Sequence, residues 1–298
     1  MTQACGPADR AGPIGIVLCA DDYGIAPGVG HAIRHLLSLG RLSATSCMAA
    51  SPHWPEEAAA LRPFAGRADV GLHLTLTDQR PLGVMPRTAR HGRLPSLFRL
   101  AVLAFTRRLD RDEVKAELTR QLDAFEKAFG HPPTHLDGHQ HVHQLPIVRD
   151  VVLELYAARL ARHGVYLRYC TEPLRAILAR GIQVGEAFVI DRLARRFARR
   201  ARAAGIPGNR RFSGVHDFSG RTPYGELFDA FLETAQPGLL VMCHPGISDA
   251  ALAAADRVTL AREDEYRYFL SDAFLASLRG HRVVVTRLAN INVPRGNC

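Results

Sequence analysis

Short apolar runs and amphipathic segments alternate along the whole chain of 298 residues. An apolar run of about four to eight residues bounded by turn residues is typical of a buried strand, and apolar positions spaced i, i+3, i+4 and i+7 are typical of a helix. Strands are predicted at residues 14–20, 42–49, 70–76, 134–137, 165–169, 239–243 and 283–288. Helices are predicted at residues 28–39, 97–108, 111–129, 147–162, 173–180, 188–204, 223–235 and 263–278.

This alternation predicts an α/β fold built on a parallel, barrel-like sheet. No internal repeat or linker interrupts the pattern, so we expect a single domain over residues 14–298, preceded by a polar N-terminal extension at residues 1–13. The extension lacks the basic-then-apolar layout of a signal peptide. No stretch reaches the ~18 consecutive apolar residues of a membrane span. We therefore expect a soluble, cytoplasmic protein with no transmembrane segment.

The formal net charge of +9 is concentrated in one segment. Residues 192–211 contain eight arginines and no acidic residue, and the arginines of the predicted helix share one face. Such a face is either simply solvated or binds an anionic partner, such as a sugar phosphate, a lipid headgroup surface or nucleic acid. No nucleic-acid-binding motif accompanies it, so no nucleic-acid partner is expected.

The six cysteines are scattered and include no Cys-x-x-Cys pair. Three of them, Cys19, Cys47 and Cys243, lie in apolar runs, where a reduced cysteine behaves as a small hydrophobe. The sequence therefore predicts core thiols and no structural zinc or disulfide framework.

Titratable side chains cluster where three predicted strands end. Asp21 and Asp22 follow the apolar run at 15–20, His73 lies at the end of the third strand, and a histidine-rich run at 135–143 leaves the fourth. Because α/β barrels place their chemistry at the carboxyl ends of strands, we expect these side chains to meet.

Together these groups predict a metal-dependent hydrolase. A catalytic divalent metal typically has about three protein ligands and an open position for water. Asp22, His73 and His139 offer one carboxylate and two imidazoles, and Asp21 is then placed as a general base. His244, at the end of another predicted strand, is the candidate general acid. This ligand set suits zinc or several other ions, so the residues leave the metal open.

Each motif also has a purely structural interpretation. Asp-Asp before Gly is common in turns, and a single histidine in an apolar strand is usually a core residue with a hydrogen-bond partner. The alternating histidines at 139, 141 and 143 are more specific, because imidazole is the commonest ligand of such ions. Trp54 is interpreted as a packing anchor at a helix start, with stacking on a sugar ring as the alternative.

Four motifs resemble those of the YdjC-like carbohydrate deacetylases, which include chitooligosaccharide and hopanoid-associated deacetylases. They are Ala-Asp-Asp-Tyr-Gly at 20–24, Gly-Leu-His-Leu-Thr at 71–75, His-Leu-Asp-Gly-His-Gln-His-Val-His at 135–143 and Met-Cys-His-Pro-Gly at 242–246. The resemblance covers about residues 14–290. It implies a deformed TIM-like β/α barrel related to the polysaccharide deacetylases, and metal-dependent removal of N-acetyl groups from amino sugars.

The resemblance also implies roles for single residues. Asp22, His73 and His139 match the family's metal ligands, with one divalent ion, magnesium, expected there, and Asp21 matches its base. Tyr23 stands where the family usually has phenylalanine, so its hydroxyl is expected to contact substrate or a neighbouring ligand. Asp137 matches the chitooligosaccharide type, which favours a soluble sugar. The candidates for orienting ligands or binding substrate are thus Tyr23, Thr75, Arg80, Asp137, His141 and His143.

We therefore expect a hydrolase that deacetylates an N-acetylated amino sugar, either chitooligosaccharide-like or glycolipid-linked, and releases acetate. The loop at residues 77–95 follows the strand of His73, so it is expected to overhang the metal, with Arg80 as a donor to substrate. The arginine face is expected to point away from the barrel mouth. A homodimer, a metal-dependent phosphoesterase and a non-catalytic binding protein using the arginine-rich helix remain open alternatives.

Overall fold

The computed structural model of the protein describes residues 12–291. Its strands are β1 (Ile14–Tyr23), β2 (Ala44–Cys47), β3 (Asp69–Leu74), β4 (His135–Gly138), β5 (Tyr166–Leu167), β6 (Arg211–Ser213), β7 (Leu239–Cys243) and β8 (Val283–Val285). Its helices are α1 (Pro27–Ser38), α2 (Trp54–Leu61), α3 (Leu97–Phe105), α4 (Arg111–Phe129), α5 (Val148–Leu155), α6 (Leu174–Arg180), α7 (Val184–Ala203), α8 (Tyr224–Leu232), α9 (Ala250–Ala255), α10 (Leu260–Leu270) and α11 (Asp272–Gly280).

The strands form one curled parallel sheet in the order β5-β4-β3-β2-β1-β7-β6, and β8 pairs with the first residues of β1. The two outer strands approach each other. The Leu167 N–H donates to the Pro207 carbonyl at 2.9 Å, and the Phe212 N–H donates to the Thr171 carbonyl at 3.1 Å. The predicted α/β class and barrel-like sheet are confirmed.

Helices cover the outside of the sheet through apolar stripes. On α4 the predicted stripe is buried, including Val114, Leu118, Leu122 and Phe125. Asp110 caps this helix by accepting from the N–H groups of Asp112 and Glu113, and the left-handed Gly130 ends it.

Trp54 is a packing anchor. Its side chain is buried, its ring lies 5.2 Å from that of Phe125 in a stacked arrangement, and its indole N–H donates to the Ala124 carbonyl at 3.1 Å. It therefore joins α2 to α4, and the alternative of stacking on a sugar ring is excluded.

Several predicted boundaries are wrong for local reasons. The predicted helix at 263–278 is two helices, because Ser271 ends α10 and its hydroxyl accepts from the Phe274 N–H at the start of α11. The helix predicted at 188–204 begins at Val184. Strand β6 was not predicted, since its three residues lie in a basic stretch without an apolar run.

Cys19, Cys47, Cys170 and Cys243 are free and buried, which confirms core thiols for the described cysteines. Residues 1–11 of the predicted polar extension lie outside the described residues. Over residues 12–291, no helix has both the length and the apolar character that crossing a bilayer requires.

Candidate metal centre and active-site cavity

The two aspartates lie inside β1, which extends to Tyr23, three residues beyond the predicted strand at 14–20. The register between β1 and β2 shifts between Ala20 and Tyr23, and Asp22 has a φ of 63°. Such a bulge adds one residue to a strand and re-aims its side chains, and aspartate tolerates the left-handed region better than most residues. Consecutive side chains of a regular strand face opposite sides, but here both aspartates are buried in the wall of one cavity.

Asp22, His73 and His139 meet at the carboxyl ends of β1, β3 and β4. His139 Nδ1 lies 2.8 Å and His73 Nε2 lies 3.3 Å from the same oxygen, Asp22 Oδ1. One potential ligand atom from each residue lies within 4.8 Å of the others. Two imidazole nitrogens and a carboxylate oxygen are a ligand set that divalent metals take in catalytic sites, so the donors fit such an ion.

Asp137 orients His73. Asp137 Oδ1 lies 2.6 Å from His73 Nδ1, so the other ring nitrogen of His73 faces Asp22. Ser46 donates to Asp137 Oδ2 at 2.6 Å. Burial by itself would lower the pKa of His73, but the carboxylates of Asp137, Asp21 and Asp22, with Asp137 contributing most, together raise that pKa to about 10. A carboxylate behind a ligating histidine fixes its ring and increases its basicity.

Arg168 binds Asp21 through two hydrogen bonds. It was not among the site residues predicted from the sequence. Its two terminal nitrogens donate to the two carboxylate oxygens of Asp21, each at 2.6 Å, and one of them also lies 2.6 Å from Asp137 Oδ2. Burial alone would raise the pKa of Asp21, but the guanidinium outweighs it and the pKa is lowered. Arg168 therefore connects the predicted base to the carboxylate behind His73.

Arg262, on α10, binds the other oxygen of Asp22. It donates to Asp22 Oδ2 at 2.6 Å and to Asp256 Oδ2 at 2.5 Å. Burial opposes ionisation of Asp22, but His139 and Arg262 hold its pKa well below the usual range. Asp22 therefore keeps Oδ1 toward the two histidines while Oδ2 is engaged by the arginine.

His244 lies directly after β7 and lines the same cavity. Its backbone N–H donates to Glu265 Oε2 at 2.5 Å, and Glu265 Oε1 lies 3.0 Å from His216 Nε2. The pKa of His244 is lowered, with burial as the largest cause, although Asp22, Glu265 and Asp21 act against it. The fully buried Glu265 thus fixes the loop that carries the candidate acid.

Tyr23 and Thr75 support the site from outside the cavity. The Tyr23 hydroxyl donates to the Glu57 carbonyl at 2.8 Å and accepts from Arg34 at 2.7 Å, so the expected contact with substrate or a ligand is wrong. The Thr75 hydroxyl donates to the His73 carbonyl at 3.0 Å, and the Thr75 N–H donates to Gln121 at 2.9 Å. Thr75 therefore holds the backbone that carries His73.

The last two histidines of the run contact neither Asp22 nor His73. His141 lines the cavity, with its Nδ1 3.6 Å from the Cys170 sulfur. His143 is buried, and its Nε2 lies 3.2 Å from the Arg168 carbonyl. Burial lowers the pKa of both, to about 3 for His141 and about 4 for His143. Both are therefore neutral near pH 7.

No residue of the loop at 77–95 lines the cavity that contains the candidate metal centre, contrary to the expected overhang. The middle of the loop binds α4, because the N–H groups of Leu82 and Gly83 donate to Glu117. Arg80 is exposed and does not line the cavity, contrary to expectation. Helix α3, which follows the loop, provides the wall that the loop was expected to form.

The cavity has a volume of about 620 Å³ and places polar groups at its base against apolar walls. Asp21, Asp22, His73, His139 and His244 all line it. The walls are formed by one side of α3 and by the first turns of α7, with Leu97, Ala101, Phe105, Val189, Ile190 and Leu193.

Three residues of the site, Arg168, Arg262 and Glu265, were not predicted from the sequence, and only Arg168 lies in a sequence pattern that indicates a buried charge. Arg168 stands in the apolar run at 165–169, and a charge there must be paired when the strand is buried. Arg262 and Glu265 lie in a helix rich in charged residues, where they look like surface residues. Only the packing of α10 against the cavity shows that they are buried.

Comparison with known proteins places the chain among its relatives. The sequence profile of the YdjC-like proteins matches residues 15–280. The chain belongs to the YdjC-like family. This YdjC-like chain is similar to the chitooligosaccharide deacetylase of Klebsiella pneumoniae (strain 342), with 31% identity across 80% of this chain and 83% of that protein.

A second relative matches over a shorter stretch. The chitooligosaccharide deacetylase of Serratia marcescens is 36% identical over 46% of this YdjC-like chain and about half, 53%, of its own length. Among solved structures, a protein of Enterococcus faecalis V583 to which a cellobiose-phosphate cleavage role is ascribed aligns with a TM-score of 0.69. It is 19% identical, and the alignment covers 93% of this chain and 98% of that one, so the two share a fold.

Proposed function

We propose that this protein is a metal-dependent hydrolase that removes the N-acetyl group from an N-acetylated amino sugar and releases acetate. The observation that carries the proposal is that Asp21, Asp22, His73, His139 and His244 all line one cavity. Membership of the YdjC-like family supports the reaction class, since two relatives are named chitooligosaccharide deacetylases.

Asp22, His73 and His139 would hold one divalent cation. Such an ion, when bound, polarises the acetamide carbonyl and lowers the pKa of a neighbouring water. Two imidazoles suit zinc or a similar transition metal, whereas magnesium prefers oxygen ligands. We therefore favour zinc over the magnesium that the family resemblance implies. Asp137 would keep His73 in the tautomer that turns Nε2 toward the ion.

In this proposal Asp21 is the general base. It takes a proton from the water that attacks the acetamide carbon, while Arg168 keeps the carboxylate ionised and fixes its plane. Each carboxylate oxygen has a second lone pair that the guanidinium does not occupy. The lowered pKa of Asp21 makes it a weak base, which suits water acidified by a cation.

His244 would be the general acid for the leaving amine. As the carbon–nitrogen bond breaks, its imidazolium gives a proton to the sugar nitrogen, and acetate and the free amine are the products. Burial lowers the pKa of His244, which makes its protonated form a stronger donor. The Asp22, Asp21 and Glu265 carboxylates stabilise that charged form.

The apolar walls favour an acceptor with an apolar group next to the sugar, such as a glycolipid-linked amino sugar, over a free oligosaccharide. Leu97, Phe105 and Val189 offer no hydrogen bonds to hydroxyl groups. Asp137 does not decide between these substrates. It is fully buried behind His73 and does not line the cavity.

Acetate release from N-acetylglucosamine, diacetylchitobiose, its phosphate and an N-acetylglucosaminyl glycolipid tests the proposal. We expect Asp21→Asn to keep the metal and lose about 10²–10⁴-fold in turnover. His73→Ala and His139→Ala should lose metal by elemental analysis, whereas the exposed His163→Ala should retain it. Full metal in both folded ligand variants, or normal turnover of Asp21→Asn, would contradict the assignments.

A further inference from the structure

Helix α3 is apolar on nearly all sides but buries only one of them. Of its nine residues, Leu100 and Ala104 are buried. Phe98 is 80% exposed, Phe105 57% and Val102 44%, and their spacing of four and three residues places them on one side of the helix. A helix that is apolar all round normally lies in a protein core or against a membrane.

This exposed surface continues into the proposed active-site cavity. Leu97, Ala101 and Phe105 of α3 line the cavity, and so do Val189 and Leu193 of α7. Val189 is 56% exposed, and its neighbour Phe188 is 43% exposed. We call the exposed residues Leu97, Phe98, Val102, Phe105, Phe188 and Val189 the apolar rim.

Both segments that carry the apolar rim are basic. Residues 79–109, which include α3, contain seven arginines and no acidic residue. The acid-free stretch at 192–211 follows directly after the α7 part of the rim. Within residues 12–291, no carboxylate lies within ion-pairing distance of Arg99, Arg107, Arg108, Arg192 or Arg196. Arginines farther along α7, such as Arg195 and Arg200, are paired with Asp191 and Asp150.

We propose that the apolar rim docks on an anionic lipid surface and presents the cavity mouth to it. Apolar side chains that enter the acyl boundary, flanked by arginines at headgroup level, are what an interfacial helix offers to a membrane. Nucleic acid fits less well, because its backbone is bound by charged and polar groups and leaves exposed valine and leucine without a partner. The inference rests on the proposed function only in identifying the cavity as the active site.

Vesicle flotation without substrate tests the docking surface. The full-length protein is mixed with phosphatidylcholine vesicles or with vesicles that also contain phosphatidylglycerol. We expect binding to the anionic vesicles that weakens as salt is raised. The double variant Phe98→Ser/Val102→Ser should reduce binding more than tenfold. Arg99→Gln and Arg108→Gln should each reduce it about fivefold, since a basic residue near an anionic surface contributes about 1 kcal/mol.

Matched controls lie at the opposite end of the barrel. Leu39 is 51% exposed after α1, and Arg67 is exposed before β3, both at the amino ends of the strands. Leu39→Ser and Arg67→Glu should bind vesicles like the unmodified protein. None of the substituted residues lines the cavity, so acetate release from diacetylchitobiose should stay unchanged in every variant.

The proposal is wrong if the protein does not bind anionic vesicles, if the rim variants bind as well as the controls, or if it binds a single-stranded oligonucleotide and no vesicles. The two proposals fail separately. Vesicle binding without acetate release from any of the sugars or the glycolipid tested above would overturn the deacetylase assignment alone.

Discussion

At the scale of single residues, Arg168 connects most of the candidate site. One guanidinium binds both oxygens of Asp21 and one oxygen of Asp137, whose other oxygen holds His73. It is fully buried, so removing its charge would leave Asp21 without its guanidinium partner and Asp137 with His73 as its remaining cationic neighbour. Breaking a buried ion pair in this way typically costs about 3–5 kcal/mol.

We therefore predict that the Arg168→Lys variant folds but has a reduced rate of acetate release. Lysine keeps the charge but cannot make the two parallel hydrogen bonds that fix the plane of Asp21. kcat/KM should fall at least about tenfold with little change in bound metal. The exposed Arg195→Lys is the control. Equal kinetics for both variants, measured by acetate release and elemental analysis, would show that the orientation of Asp21 is unimportant.

Because the pKa of His73 is elevated, we predict that the apparent affinity for the metal depends on pH. With a pKa of about 10, His73 carries an extra proton at pH 7 in the metal-free protein. A ligating imidazole must lose that proton, so the apparent metal affinity should fall about tenfold for each unit by which pH drops below 10. Calorimetry of zinc binding in two buffers with different ionisation enthalpies counts the released protons.

Asp137→Asn is the matched variant for that titration. It removes the carboxylate that contributes most to raising the pKa of His73, so fewer protons per zinc ion bound should be released at pH 7. A proton count near zero for the unmodified protein would show that His73 is already neutral.

At the scale of elements, the ends of β1 and β3 position the site. The bulge turns Asp21 and Asp22 into one cavity, and β3 brings His73 beside Asp137 of β4. The backbone of β3 at Gly71 lies directly against the His135 side chain of β4. A Cβ there would lie 2.2 Å from the Nε2 of His135. That ring is stacked on Tyr166 and lies 2.8 Å from the Ser46 hydroxyl, so it has no room to move.

Gly71→Ala should therefore destabilise the protein by about 1–3 kcal/mol, the usual cost of overpacking a core. Displacement of His135 would also disturb Ser46 and the carboxylate of Asp137, so turnover should fall as well. Urea unfolding measures the first effect and acetate release the second. Gly185→Ala, where a new Cβ meets nothing within 4 Å, should cost no stability.

At the scale of the whole molecule, the amino end of the barrel is tied together by Asp69. Its carboxylate accepts from the Arg287 side chain at 2.8 Å and from the Leu288 N–H at 3.1 Å. Asp69 begins β3, and the two donors follow β8, so these bonds join the end of the described chain to the sheet.

Asp69→Ala should lower the free energy of unfolding by about 1–3 kcal/mol, because it leaves the partly buried donors of Arg287 and Leu288 unpaired. Since Asp69 lies at the end of the barrel opposite the cavity, kcat should not change in the folded variant. Asp123→Ala removes a surface pair with Arg159 and should cost under about 1 kcal/mol. Equal denaturation midpoints for the two variants would contradict a structural role for Asp69.

Much of the site could be predicted from sequence because the chemistry lies in short motifs at strand ends. Asp22 and His139 lie two residues beyond predicted strands, His73 lies one residue before the end of β3, and a parallel sheet brings the carboxyl ends of such strands to one edge. Arg80 was misplaced for the opposite reason. The direction of a long loop depends on its partners, here Glu117 on α4, which lie far away in sequence.

The sequence by itself determined the fold class, the strand ends that meet, and the family, because these depend on local periodicity and on residue types in fixed order. Tertiary structure alone decided which charges are buried and which apolar residues remain exposed. Arg168 and Arg262 became partners of Asp21 and Asp22, while Phe98 and Val102 stayed at the surface. Burial depends on contacts between elements distant in the chain, and no local pattern records those contacts.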